Sequence, residues 1–372
     1  MKNATIYDVA REAGLSIKTV SRVMNGDPTV KARNRTRILE AAEALAYTPN
    51  LSARSLAGAR SFVIAAFLDA ELTMDHWQRG RATDYVARLQ LGAIRECRKA
   101  GYHFTLELID HDPAKLTREV RDVLQAMKPD GIILTPPSCD DPHMLELLDA
   151  AQVRYARLGS DTSLPGGVQL HLGDRRGAAD VTQHLIDLGH RRIAIIAGPF
   201  GASSSAERLA GFRDTMAEAG LAVDESLVQT GDFTFESGAE KMRTLMDLKA
   251  RPTAVFACND EMALGCLATL SELGLDCPGD VSIAGFDDSV GAKFSRPQLT
   301  TVQQPVAEMA SEAVRRLIDP ARYADGPDDK GETCVLIVNE STGPLAAGKE
   351  QPPGPTQRIK SSGFWRTRSR SV

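Results

Sequence analysis

Apolar residues in the first fifty positions recur at helical spacing. Val9 with Ala13, Val20 with Val23 and Met24, and Ile38, Leu39, Ala42 and Leu45 predict three short amphipathic helices. Start and stop signals divide them: Thr5 can cap the first, with Asp8 reaching back from three positions later, Gly14 supplies a turn, and Ser16 caps the second. The third is predicted over residues 31–45. The outward side of the second helix carries Ile17, Lys18, Ser21 and Arg22, where the recognition helix of a helix-turn-helix presents side chains to the major groove. Arg22 and Lys18 are donors suited to a guanine edge, and Ile17 can touch a thymine methyl.

From residue 62 to 343 the pattern alternates. Apolar runs FVIAAFL, FTLELI and GIILT predict buried strands, interleaved with helices over 85–100, 116–127 and 144–151. A second series follows, with strands RIAIIAG, AVFAC and VSIAGF and helices over 178–188, 206–219, around Leu245, and over 262–273. Repeated βα units predict parallel sheets covered by helices, and two series predict two lobes. A ligand in such sheets is expected beyond the carboxyl ends of the strands, here the cleft between lobes.

Charge divides the chain in the same way. Residues 1–60 carry ten Lys and Arg against five Asp and Glu, a net of +5; residues 349–372 carry six against one, again +5. The stretch between them is left with −15 of the overall −5, so a basic reading head and tail flank an acidic body. Six cysteines form no C-x-x-C pair and have no nearby His cluster, so reduced thiols are expected and no metal site. There is no apolar leader and no run approaching the ~18 residues of a membrane span, which predicts a cytoplasmic, nucleoid-associated protein without a membrane partner. The phosphate-loop, G-x-S-x-G and H-E-x-x-H motifs are absent, so no catalytic residue and no cofactor are expected.

The stretches TIYDVAREAGLS, TVSRVMNG, ALAYTPN and ARSLAG, which run together without gaps, resemble the DNA-binding region of the LacI/GalR family of bacterial transcriptional repressors. LGHRRIAIIAGP, SAERLAGF, CNDEMALG, VSIAGFDD and PQLTTVQQP continue the resemblance to about Gly343. It implies an all-α head followed by a two-lobed periplasmic-binding-protein-like domain, whose chain crosses between lobes three times. The expected boundaries are 1–49 for the head, 50–60 for a hinge helix and linker, and 61–343 for the effector-binding and dimerisation domain. Within the last, lobe one is expected at about 62–160 and 304–320 and lobe two at about 163–301 and 331–343, followed by a disordered tail at 344–372.

The resemblance also implies roles. Thr5, Ser16, Ile17, Lys18, Thr19, Ser21, Arg22, Asn25, Asn50, Ala53 and Leu56 are expected to meet DNA, with Leu56 as a minor-groove wedge at the centre of a two-fold operator. The segment after Pro49 is too short to be stable as a lone helix in water and needs a partner, while an apolar wedge can open a base step; Leu51 and Leu56 have the alternative of packing as linker residues. Arg208, Asn259 and Asp287 match effector-contacting positions, and Phe233 matches an aromatic that stacks on the ligand. Asp69 and Asp260 join them as residues at strand ends, although Asp260 could instead cap the helix that follows and Arg208 could pair with a surface acid. These side chains suit a sugar, whose hydroxyls meet Asp, Asn and Arg and whose apolar face meets a ring.

Two departures stand out. ELTMDHWQRGRATDYV replaces the family's Asn-Pro-aromatic stretch after the first strand, so a different pocket rim is expected. Gly173 sits where the family often has an acid, and no ligand role is carried to Asp174. The expected function is a homodimeric repressor of carbohydrate genes that reads an inverted repeat and responds to a sugar-like effector. The competitors are a two-lobed sugar-transport protein and, more remotely, an enzyme acting on a sugar. Whether ligand releases or promotes DNA binding is open.

Overall fold

The structure, a computed structural model, describes residues 4–24, 27, 29–47, 60–78, 83–159, 164–324 and 334–345. Its head holds three helices, α1 (Ile6–Ala13), α2 (Ile17–Met24) and α3 (Ala32–Ala44). Thr5 and Asp8 form a reciprocal capping box at the start of α1, and Gly14 ends it in a left-handed conformation (φ 60°) that a side chain would strain. Val9, Ala13, Val20, Val23, Val30, Ile38, Ala41 and Ala42 close a small core. Leu39 does not join it and is 52% exposed. Ile38, Ala41, Ala42 and Leu45 share one side of α3, and the next residue along the helix is turned about 100° away from that side.

The remainder follows β1 (Val63–Asp69), α4 (Ala70–Gln78), α5 (Thr83–Ala100), β2 (His103–Ile109), α6 (Pro113–Met127), β3 (Gly131–Leu134), α7 (Pro142–Ala150), β4 (Tyr155–Leu158) and β5 (Val168–Leu170). Then come α8 (Asp174–Asp187), β6 (Ile193–Ala197), α9 (Ser203–Glu218), β7 (Val228–Thr230), α10 (Phe235–Met246), β8 (Ala254–Ala257), α11 (Asp260–Leu273), β9 (Ser282–Ala284) and α12 (Val290–Phe294). Last are β10 (Thr301–Gln303), α13 (Val306–Ile318), α14 (Pro320–Tyr323) and β11 (Val335–Ile337). One sheet has the order β2-β1-β3-β4-β5, a second β7-β6-β8-β9, and β10 pairs antiparallel with β11. Every pairing within the two larger sheets is parallel. Helices cover such sheets on both faces, which is why β1, β3, β6 and β8 read as unbroken apolar runs.

The chain divides into two compact units, Met1–Leu172 with Pro305–Glu332, and Gly173–Gln304 with Thr333–Val372. The first crossing therefore falls at Leu172, not near residue 160. Residues past 163 stay with the first unit because β5 pairs in register with β4, from Ala156↔Val168 to Leu158↔Leu170, and Leu172 buries in the same core. The short strands β4, β5, β7, β10 and β11 escape sequence detection. β4 even carries the fully buried Arg157. The sequence ELTMDHWQ after β1 forms α4, which was not expected; Asp69 accepts from Leu72 N at 2.6 Å and so caps it.

In the second unit His190 is 2% exposed and bonded to Thr253 Oγ1, Ser282 Oγ and the Gly343 carbonyl. Burial lowers its pKa below the ordinary 6.5, and burial does the same to His184. The unfolded chain takes up protons below pH 6.5 that the folded chain resists, so the stability linked to these histidines is present above that pH and lost on acidification. Urea midpoints are expected to be level above pH 6.5 and to fall below it, with a shallower fall in His190→Gln; a wild-type midpoint that rises on acidification contradicts this.

Candidate functional site

The second helix of the head presents one side to solvent. Ser16 Oγ accepts from Thr19 N at 3.2 Å and pairs with Thr19 Oγ1 at 2.8 Å, which starts α2 and orders Thr19 beside it. Thr5, Ser16, Ile17, Lys18 and Arg22 are exposed, and Thr19 and Ser21 are half-buried. Thr5 is occupied as the α1 cap. Arg22 does not extend freely: Nε donates to Asp27 Oδ2 at 2.7 Å and Nη2 to Thr29 Oγ1 at 2.5 Å. Asn25, Asn50, Ala53, Leu56, the rest of the hinge to residue 59 and the tail from residue 346 lie outside the described residues.

A second constellation lies in the Gly173–Gln304 unit, beyond the carboxyl ends of β6, β8 and β9. Arg208, on α9, is 4% exposed. Its Nε donates to Asp174 Oδ1 at 2.7 Å, Nη1 donates to the Cys258 carbonyl, and Asp287 Oδ1 lies 3.8 Å from Nη1. The Gln304 amide, with its oxygen toward Nη2, accepts at 2.6 Å and donates to Asp287 Oδ1 at 3.2 Å. The Phe286 ring lies under the guanidinium with its centroid 3.9 Å from Cζ. Burial alone would lower the pKa of Arg208, but Asp174 and Asp287 raise it above its ordinary value, so it stays cationic. One cation between two carboxylates leaves the cluster with a net negative charge.

Backbone strain collects around it. Phe233, Asp287 and Asp288 have φ of 67°, 119° and 54°, in a region that L residues seldom occupy. Asn259 ties down the first: its Oδ1 caps α11 on Met262 N at 3.0 Å and its Nδ2 donates to the Phe233 carbonyl at 2.9 Å. The Phe233 ring packs over Gly198, where a Cβ would come within 2.1 Å of it. Asp287 and Asp288 diverge. Asp287 turns to Arg208 and Gln304, while Asp288 pairs with Lys293 at 3.0 Å and accepts from Gln303 at 3.0 Å. They do not form an acid pair.

Asp260 corrects the sequence expectation. It is fully buried and accepts from Ser289 N at 2.7 Å and Thr301 Oγ1 at 2.6 Å, and burial raises its pKa. Both oxygens hold the 287–289 loop to β10, so it shapes the site without reaching a ligand, and Asn259, not Asp260, caps the helix. Asp69 sits in the other unit as a helix cap. Arg208 pairs with Asp174 rather than with a surface acid. Sequence reading missed Asp174, Phe286 and Gln304. Asp174 opens α8 directly after Gly173, whose φ of 73° turns the chain into the site, and that turn is the signal that could have found it.

Among the described residues no group of three His, Cys, Asp or Glu side chains could hold a metal ion, and no helix is long and apolar enough to cross a membrane. Residues 5–50 match the family described as bacterial regulatory proteins, lacI family, and residues 182–342 match the periplasmic binding protein-like domain. The HTH-type transcriptional regulator DegA of Bacillus subtilis is 34% identical over 347 residues, 92% of this chain and 98% of that one. The HTH-type transcriptional regulator CelR of Thermobifida fusca is 35% identical over 324 residues, 86% of this chain and 92% of that one. Among solved structures, the lac repressor dimer bound to operator and the anti-inducer ONPF is 28% identical with a TM-score of 0.71, covering 92% of this chain and all of that one. The transcriptional regulator CelR–cellobiose complex is 32% identical with a TM-score of 0.68, covering 91% and 99%. A three-helix reading head, a body of parallel sheets in two units, and likeness to whole regulators at about one residue in three leave one conclusion: this chain belongs to the LacI family of bacterial regulatory proteins.

Proposed function

We propose that this protein is a homodimeric, sequence-specific transcriptional regulator of carbohydrate genes, whose grip on an inverted-repeat operator changes when a small uncharged sugar binds. The observation that carries the reading is the buried Arg208, held by Asp174 and Asp287 at the strand ends, in a chain that begins with a helix-turn-helix. The cluster's own carboxylates already neutralise the guanidinium, which disfavours an anionic ligand and suits hydroxyls that can donate to Asp287. Phe233 offers a ring to the apolar face of a sugar, and Asn259 remains a secondary contact. The relatives point the same way, being regulators, one of them solved with cellobiose.

In the head, Ile17, Lys18 and Arg22 face bases, with Ser16, Thr19, Ser21, Thr5, Asn25 and Asn50 on backbone or base edges. Ala53 and Leu56, in the segment 50–60, act in the minor groove. The effector-binding body spans 61–343, and the segment beyond it carries a net basic charge. The protein works in the cytoplasm on the nucleoid and needs no cofactor.

A thermal-shift screen of mono- and disaccharides on the purified chain is expected to find a stabilising sugar. Titration of a selected operator with and without it should then show a change in Kd of about 5- to 150-fold, in a direction that distinguishes inducer from corepressor. A sugar that stabilises the protein but leaves operator Kd unchanged would refute the coupling, and turnover of that sugar would favour an enzyme.

A further inference from the structure

We infer that Asp27, seconded by Thr29, is a positioning residue that sets Arg22 for end-on reading of a guanine. The inference rests on the proposal that Arg22 faces a base. Asp27 sits between two helices and is anchored to both: its N–H donates to the Arg22 carbonyl at 2.9 Å, and its own carbonyl accepts from Arg35 Nη2 at 2.5 Å. Its Oδ1 accepts from Thr29 N at 2.9 Å and Thr29 Oγ1 at 2.7 Å, so the carboxylate cannot rotate without breaking a turn. Hydrogen bonds from Thr29 and then Arg22 hold its pKa well below the usual carboxylate range, and it is charged at every physiological pH.

The guanidinium is engaged along one edge. Nε meets Asp27 Oδ2 and Nη2 meets Thr29 Oγ1, which uses the side fork of the group. The second hydrogen of Nη2 and the hydrogen of Nη1 beside it make up the end fork, of the geometry that pairs with guanine O6 and N7. A long side chain on the open surface of α2 would otherwise be spread over many rotamers, and fixing it only on DNA would cost entropy at the moment of recognition. The Asp27 carboxylate fixes it beforehand. It also sets an acid beside the phosphate backbone, so it disfavours binding to DNA in which Arg22 has no guanine to meet.

The test uses the full-length protein, an operator fragment selected from genomic DNA by binding, and a random fragment of equal length. Asp27→Asn, which keeps the shape and removes the charge, is expected to lower the operator-to-random affinity ratio by about tenfold, with random-fragment binding unchanged or slightly tighter. In the Arg22→Ala background the same substitution should leave the ratio unchanged. Replacing operator guanines one at a time with 7-deazaguanine, which lacks the N7 acceptor, should weaken the wild type at one position per half-site and lose that effect in Asp27→Asn. The positioning role is overturned if Asp27→Asn tightens operator binding, if it lowers the ratio equally without Arg22, or if its 7-deazaguanine profile matches the wild type. An unchanged ratio in Arg22→Ala alone would instead remove base reading by Arg22, and the positioning role with it. Matching thermal melts for wild type and Asp27→Asn keep a folding defect out of the comparison.

Discussion

Arg208→Met is expected to abolish the effector response and to destabilise the second unit by roughly 3–5 kcal/mol, the usual cost of removing one partner from a buried ion pair. Methionine keeps much of the volume, so little of the loss comes from a cavity. What is lost is the cation. Asp174 and Asp287 then face each other's field without it, the Cys258 carbonyl and the Gln304 amide lose a donor, and Phe286 loses the guanidinium stacked on its ring. Arg208→Lys should recover part of the stability by keeping the charge, but not the ligand affinity, because an ammonium cannot serve Asp174, the carbonyl and a ligand from one fork. Urea unfolding and operator titration with and without the cognate sugar read both effects. A variant that folds, binds operator and answers the sugar with wild-type Kd removes Arg208 from the site.

The second large effect belongs to Arg157, whose side chain has no exposed surface at the centre of β4. Nε donates to the Cys139 carbonyl at 2.6 Å, Nη1 to the Leu164 carbonyl at 2.5 Å, and Nη2 to Asp140 Oδ1 at 3.0 Å. One guanidinium thus ties the loop after β3 to the loop leading to β5. Arg157→Met is expected to cost about 3–5 kcal/mol, because it takes the buried cation from Asp140 and a donor from the Cys139 carbonyl, while the Leu164 carbonyl keeps Gln169 Nε2 at 2.7 Å. The urea midpoint should fall with little change in slope, and operator affinity of the folded fraction should hold. A loss below about 1 kcal/mol would show that the two loops find other donors.

These two arginines separate what a linear reading can find from what it cannot. Arg208 was noticed because SAERLAGF resembles a known pattern, yet two of its partners were not: Asp174 was set aside for the Gly173 before it, and Gln304 sits just before Pro305 in VQQP with nothing local to mark it. Arg157 drew no notice at all, since an arginine in a four-residue strand weakens the apolar run that identifies strands. Asp260 was singled out for its place after AVFAC, and only its hydrogen bonds to Ser289 and Thr301 show that it serves the loop. Arg22 was read as an outward donor, and nothing in TVSRVMNG says that Asp27 already holds one edge of it.

By itself the sequence determined the three helices of the head with their caps, the succession of βα units, the basic head on an acidic body, and the identity of Arg208, Phe233 and Asp287 as residues worth watching. The helices, the βα succession and the division of charge depend on neighbours within a few positions or on summed charge, where side-chain period and capping chemistry act locally, whereas the three site residues came from the resemblance. Tertiary structure alone decided that Asp174, Asp287 and Gln304 converge on Arg208, that Asp287 and Asp288 part ways, and that the first crossing waits for β5 to pair with β4. The reason is physical: a buried charge is stable only where folding brings compensating groups from distant parts of the chain, and no spacing along the chain records which ones arrive.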